Sequence, residues 1–205
     1  FIVFELDNIK DHPILFPVVT IIIMEVFISK MRKLKGIRKM ILIEEAWKAI
    51  AREGMAEYIK YLFKTVRKFF GEAIVVTQEV EDIISSPVVK QAIINNSDCK
   101  ILLDQSKYQN KFDQIQELLG LTEKEKALVL SVNKSNDPDK KYKEVFISLG
   151  GMLSKVYRTE VSLEEYLAYT TEESEKVKVN AYAKKYDGDI KKGIAALAFD
   201  MRNET

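Results

Sequence analysis

The 205-residue chain holds one cysteine, Cys99, and one histidine, His12. A lone cysteine cannot close an internal disulfide, and one thiol with one imidazole is too few soft ligands for a structural zinc site. The lack of a disulfide fits a reducing compartment. Four prolines and eight glycines exclude a collagen-like or linker composition, and a hydrophobic share of 47% excludes a disordered tail. Neither sign of charge dominates, since 32 basic residues face 31 acidic ones for a formal net charge of +1. The chain as a whole therefore lacks the basic excess of a nucleic-acid binder, a balance that still permits a local patch. A membrane-crossing run is missing as well. The nearest, Ile14 to Ile28, is shorter than the roughly 20 residues a span requires and contains Pro17 and Glu25, so it reads as a buried core helix. No secretory signal pattern precedes it. Chemistry is left to carboxylates, Lys, Arg, amides and hydroxyls.

What is present is an alternation of short apolar runs with helical segments, in a length that suits one domain or a domain with an appendage. Phe1 to Leu6 reads as a strand ending in a polar turn from Asp7 to Pro13. A helix is expected from Leu15 to Lys35, closed by Gly36. Met40–Ile43 has the unbroken apolar character of a parallel strand covered on both faces. A long helical pattern follows from Ala46 to Phe70, with Ile50, Met55, Ile59, Leu62, Phe63, Val66 and Phe69/Phe70 at threes and fours, and with Gly71 ending it. Ala73–Thr77 is the next expected strand, Val80 to Ile94 a helix interrupted or restarted at Pro87, and Lys100–Leu103 a fourth strand. Helices are expected from Asn110 to Leu119 and from Thr122 to Ser131, the second opening on a capping-box spacing. Tyr142–Leu149 and Met152–Arg158 read as two strands joined by Gly150-Gly151, a hairpin signal. Ser162 caps a further helix, and a charge-rich helical tail runs from Thr171 to Thr205. The alternation over the first hundred residues predicts an α/β class, a parallel sheet sandwiched by helices, with the hairpin and tail as its elaboration.

In an open parallel sheet, ligands sit beyond the carboxyl ends of the strands. The first of these ends carries Glu44 and Glu45, the next Thr77 and Gln78, and the last Asp104, Gln105 and Ser106. Two adjacent carboxylates after a buried apolar strand form the arrangement of a Walker B motif. One acid helps hold a hydrated Mg²⁺ that bridges nucleotide phosphates, and the other orients the attacking water. The plainer reading is a strand whose charged end meets solvent.

Glu44-Glu45-Ala46-Trp47, followed by Arg67-Lys68-Phe69-Phe70-Gly71 and then Ile74-Val75-Val76-Thr77-Gln78, resembles the motor ATPases of type IV secretion and conjugation. The text around Phe4 to Ile9 and from Ile41 to Gln78 is similar to the TraG conjugation proteins of conjugative transposons. The resemblance implies a RecA-like P-loop fold, ATP and Mg²⁺ as cofactors, and a bacterial ATPase that powers conjugative transfer or pilus assembly at the cell envelope. Residues 1–160 then correspond to the carboxy-terminal portion of the ATPase domain, and residues 161–205 to a helical tail. By the same resemblance Glu44 is the metal-associated acid, Glu45 the catalytic carboxylate and Gln78 the sensor amide at the γ-phosphate. Arg67 resembles the arginine supplied to a neighbouring subunit's nucleotide, with Lys68 as a second candidate beside it. Its plainer reading is a cation at a helix end. Partners implied are further copies of the ATPase in a ring and inner-membrane components of a secretion channel.

The sequence departs from that family pattern in two ways. The first acid is Glu where Asp is common, and no G-x-x-x-x-G-K-[ST] occurs in the chain. Gly188 to Gly193 has the glycine spacing, but Ile194-Ala195 follow in place of Lys and a hydroxyl residue. Starting inside an apolar run, the chain is expected to be a segment whose phosphate loop lies upstream, inactive without it. Two other readings stand beside the motor. One is a non-catalytic protein-interaction module with a coincidental acidic pair. The other is a DNA-translocating ring ATPase, for which Lys30, Arg32, Lys33, Lys35, Arg38 and Lys39 form a local basic cluster.

Overall fold

In the computed structural model, residues 1–44, 53–77, 87–134 and 142–203 are described, with side chains omitted at 53–56 and 87–91. The described residues divide into two compact units. The first holds Phe1–Lys100, Lys107–Lys126 and Ser148–Ser154, and the second Ile101–Ser106, Ala127–Ile147 and Lys155–Thr205.

The first unit is built on helix α1 (Leu15–Lys33), strand β1 (Lys39–Glu44), helix α2 (Glu53–Thr65), strand β2 (Gly71–Val76) and helix α3 (Pro87–Asn96). In α1 the buried residues Phe16, Thr20, Met24, Ile28 and Met31 recur every three or four positions and make one stripe. The Thr20 hydroxyl donates to the Phe16 carbonyl at 2.6 Å, so its burial leaves no open donor. Met24 and Met31 pack with Ile59 and Leu62 of α2, with Val66 and with Ile93 of α3, and the strands add Ile41, Ile43, Ala73 and Val75 to that core.

β1 and β2 pair in parallel, in register from Lys39 opposite Gly71 to Glu44 opposite Val76. Because side chains alternate along a strand, Ile41 and Ile43 face the helices while Met40, Leu42 and Glu44 face away. Met40 and Leu42 are 57% and 52% exposed, so the expected cover on both faces of this strand is corrected to cover on one. Likewise α1 is buried along one stripe only, with Val18, Ile22 and Val26 exposed on its flank. Among the described residues no helix is long and apolar enough to cross a membrane.

Three other expectations change. Phe1 to Leu6 is not a strand: it has no ladder partner among the described residues, and a short 3-10 turn, Asp7–Ile9, follows it. A strand needs an edge to bond to, and apolar content alone does not supply one. The helix before β2 does not end on Gly71. A 3-10 turn, Val66–Phe69, intervenes, Phe70 takes the left-handed conformation at φ 56°, and Gly71 opens the strand. A Cβ on Gly71 would lie 2.7 Å from Cγ2 of Val66, which explains glycine there. Finally, the run at Lys100 leaves the parallel sheet. As β3 (Cys99–Leu102) it joins a three-stranded sheet of order β3-β4-β5 with the hairpin strands β4 (Tyr142–Leu149) and β5 (Leu153–Glu160). The Gly150 amide donates to the Asp98 carbonyl at 2.6 Å and pins the hairpin turn beside the start of β3. Gly150 and Gly151 both have positive φ, as the turn between twisted strands demands.

Two helices precede the hairpin, α4 (Phe112–Leu119) and α5 (Glu123–Ser131). In the second unit, α6 (Leu163–Tyr169), α7 (Glu173–Lys184) and α8 (Ile190–Asn203) share a core of Leu167, Val179, Leu197 and Ala198. Ser162 opens α6 with a complete capping box to Glu165.

Candidate functional site

The level register of β1 and β2 brings their carboxyl ends side by side, with Glu44 opposite Val76 and Thr77 next along the chain. Neighbouring strands are about 4.8 Å apart, so the rim beyond Glu44 and the rim beyond Val76 form one edge. Ile43 points into the helix-covered core, and the pleat therefore directs Glu44 to the open face, where it is exposed. Glu45 is the next residue after Glu44, and Gln78 the next after Thr77; both lie outside the described residues, as does Trp47. The structure thus brings together Glu44 and Thr77.

It does not bring Arg67 to them. Arg67 and Lys68 lie in the 3-10 turn before β2, exposed at the amino end of the same strand pair. Six-residue strands span roughly 17 Å at about 3.3 Å per residue, which is more than an arginine side chain can reach. Arg67 and Glu44 occupy opposite rims.

Asp104, Gln105 and Ser106 follow β3, whose sheet is separate from β1 and β2. The Asp104 carboxylate accepts from the Ser106 hydroxyl at 2.5 Å and from its amide at 2.8 Å, and these bonds hold it below the usual carboxylate range. This is a turn closed by its own side chain, the plainer of the readings open to these residues.

One carboxylate stands out that strand-end reasoning passes over. Glu125 is 7% exposed and accepts from Ser154 at 2.5 Å, Ser148 at 3.0 Å, the Thr122 amide at 2.8 Å and the Thr122 hydroxyl at 2.9 Å. Burial alone would raise its pKa, but the bonds from Ser154, Thr122 and Ser148 outweigh that and hold it at about 2. Its oxygens are taken up by the protein, which makes it a staple and leaves nothing to offer a substrate. The Thr122–Glu125 spacing shows the cap; the serines come from the hairpin, and no local pattern points to them.

Among the described residues no group of three or more His, Cys, Asp or Glu could hold a metal ion. A lone rim acid such as Glu44 suits Mg²⁺, which keeps several waters and takes its remaining ligands from substrate phosphates. Glu44 is exposed at a strand end and has no bonded partner among the described residues, whereas Asp104 and Glu125 are already bonded.

The sequence pattern of the TraG P-loop domain matches residues 1–201. No curated protein matches the chain. Among solved structures, VirB4 of Thermoanaerobacter pseudethanolicus is similar, with 21% sequence identity and a TM-score of 0.57 over 78% of this chain. The chain spans 42% of the length of that protein. At this identity the likeness is one of fold.

Proposed function

The chain belongs to the TraG P-loop domain family, and from that premise we propose that it supplies the Walker B and sensor part of an ATPase that powers conjugative transfer or type IV secretion. The observation that carries the reading is the level parallel pair, with Glu44 exposed at the carboxyl end of β1 beside the end of β2. In this reading Glu44 binds hydrated Mg²⁺, and Glu45 polarises the water that attacks the γ-phosphate. Gln78, at the neighbouring strand end, donates an amide hydrogen to that phosphate or accepts from the water. ATP and Mg²⁺ are the cofactors. Copies of the same protein and membrane components of the transfer channel are the partners.

The 205 residues contain no phosphate-binding G-x-x-x-x-G-K-[ST]. Backbone amides and a lysine of such a loop neutralise the phosphates, so the chain alone should bind nucleotide poorly and turn over little. The test is steady-state ATP turnover with Mg²⁺, by the chain alone and by the chain joined to a phosphate-loop segment of its family. Turnover is expected in the joined form only, lost on Glu45→Gln and strongly reduced on Glu44→Gln. Robust turnover by the 205 residues alone, or indifference to both substitutions, would show that the chemistry lies elsewhere.

A further inference from the structure

The amino ends of β1 and β2 form a second rim. The turn from α1 to β1 and the turn from α2 to β2 lie side by side there, because Lys39 ties them together. Its ammonium donates to the Met31 carbonyl at 3.3 Å and to the Phe69 carbonyl at 2.8 Å, and its amide donates to the Phe70 carbonyl at 3.2 Å. Residues 30–39 and 64–72, which make up this rim, hold nine cations and one carboxylate, Glu72. With a formal net charge of only +1 overall, the rest of the chain is net negative, so positive charge is concentrated on this edge. Glu72 is engaged by Arg38 at 2.7 Å, whereas Lys33, Lys35 and Lys68 are exposed and make no ion pair among the described residues. Cations at helix carboxyl ends complement the dipole, but that effect is confined to the last turn and does not account for Lys35, Arg38 or Lys68.

The same rim presents apolar side chains. Leu34 is 40% exposed, Ile37 55% and Phe70 57%. Leu34 and Ile37 flank the tight bend at Gly36, whose φ is +74°. Phe70 is held at φ 56°, a conformation unfavourable for a bulky residue, with its ring out in water. A strained backbone that exposes an aromatic ring between Lys68 and Lys39 is a feature that folding alone does not call for.

We propose that this rim docks on an anionic lipid surface, with the lysines at the headgroups and Leu34, Ile37 and Phe70 entering the headgroup–acyl boundary. Positive charge alone would serve a nucleic acid equally well. The apolar set decides between them: two aliphatic side chains on a bend have no use for a phosphate backbone, whereas interfacial binding combines apolar insertion with basic residues. A single-strand surface would offer several stacking rings, but here Phe69 packs against the core and the nearby Tyr61 is taken by Arg32 through a 2.7 Å hydrogen bond. The inference does not rest on Glu44, which lies at the opposite rim, and it makes no use of Arg67, which shares the cation-bearing rim.

The test is co-sedimentation of the chain with vesicles of phosphatidylcholine alone and of phosphatidylcholine containing phosphatidylglycerol. Binding is expected only with phosphatidylglycerol, falling as salt is raised. Each of Lys33→Gln, Lys35→Gln and Lys68→Gln should weaken it by about fivefold, the effect of one basic residue near an anionic surface. Phe70→Gly relieves the backbone strain, so it should keep or raise stability while weakening vesicle binding; Ile37→Ser should weaken binding likewise. Equal partition onto both kinds of vesicle would overturn the proposal. So would charge-dependent binding that ignores Phe70→Gly and Ile37→Ser. Binding to an oligonucleotide in preference to vesicles would assign the rim to nucleic acid instead.

Discussion

At the scale of single residues, the two kinds of carboxylate in this chain differ in what holds them. Glu44 stands exposed at a strand end with no bonded partner among the described residues, and Glu125 is saturated by two serines and a threonine. Removing Glu125 would take the acceptor from the buried Ser148 hydroxyl and from the half-buried Ser154, and would leave Thr122 without its cap. Glu125→Ala should therefore lower the unfolding free energy by about 3 kcal/mol, read from urea midpoints at neutral pH. The pH dependence has a definite sign. The carboxyl is held at about 2 in the folded chain against an ordinary value of 4.5, so the unfolded state takes up the proton first on acidification. Its contribution is complete above the ordinary value and fades as pH falls from there towards 2. A loss on the order of 3 kcal/mol is expected over that window, and Glu125→Gln should flatten that part of the stability–pH curve. A curve as steep in Glu125→Gln as in the parent would assign the acid sensitivity to other groups.

At the scale of elements, local pattern and tertiary contact contribute differently. Ser162→Ala should cost about 1 kcal/mol, because the hydroxyl accepts from the Glu165 amide and the Glu165 side chain returns the bond. Gly193→Ala tests packing in place of capping. Alanine would ordinarily favour a helix by about 1 kcal/mol, but a Cβ here would lie 2.5 Å from the Ala183 amide nitrogen of α7. Destabilisation of about 1–3 kcal/mol is expected from a thermal or urea melt, with a net gain in stability refuting the close approach of α7 and α8. The capping boxes at Thr122 and Ser162, the helix stripes and the β1 and β2 runs were legible in the sequence, since each follows from spacing within one segment. So was the hairpin, from its two glycines. The helix ends expected at Gly36 and Gly71 instead fall earlier, at Lys33 and Thr65. What escaped is pairing: the Phe1 and Lys100 runs look as strand-like as Met40–Ile43, yet only the edge available to each decides its fate. The exposed cations Arg67 and Lys68 before β2 could not be joined to Lys33 and Lys35 on sequence alone, as the link is Lys39 bridging two turns. Of the proposed site, the strand-end positions of Glu44 and Thr77 were each legible from their apolar runs, while the level pairing that sets the two ends side by side was not.

At the scale of the whole molecule, the strand pair has two ends with different chemistry, an acid-bearing carboxyl rim and a cation-bearing amino rim. A strand length of roughly 17 Å keeps Arg67 from reaching a phosphate bound beside its own Glu44. If Arg67 does assist phosphoryl transfer, as the family resemblance implies, the phosphate must belong to another copy of the chain, where a guanidinium can neutralise charge on the transferring group. Mixed assemblies separate this from a structural role. Arg67→Ala and Glu45→Gln, each placed in the phosphate-loop-bearing protein, should lower ATP turnover by about 10³-fold or more when assayed separately. Mixed before assembly, they should recover part of the lost rate. A site formed by an intact Glu45 from one copy and an intact Arg67 from the next is then complete, whereas the complementary site lacks both groups. If Arg67 served only to cap the turn before β2, mixing would restore nothing beyond the sum of the two variants, and Arg67→Lys would preserve full activity.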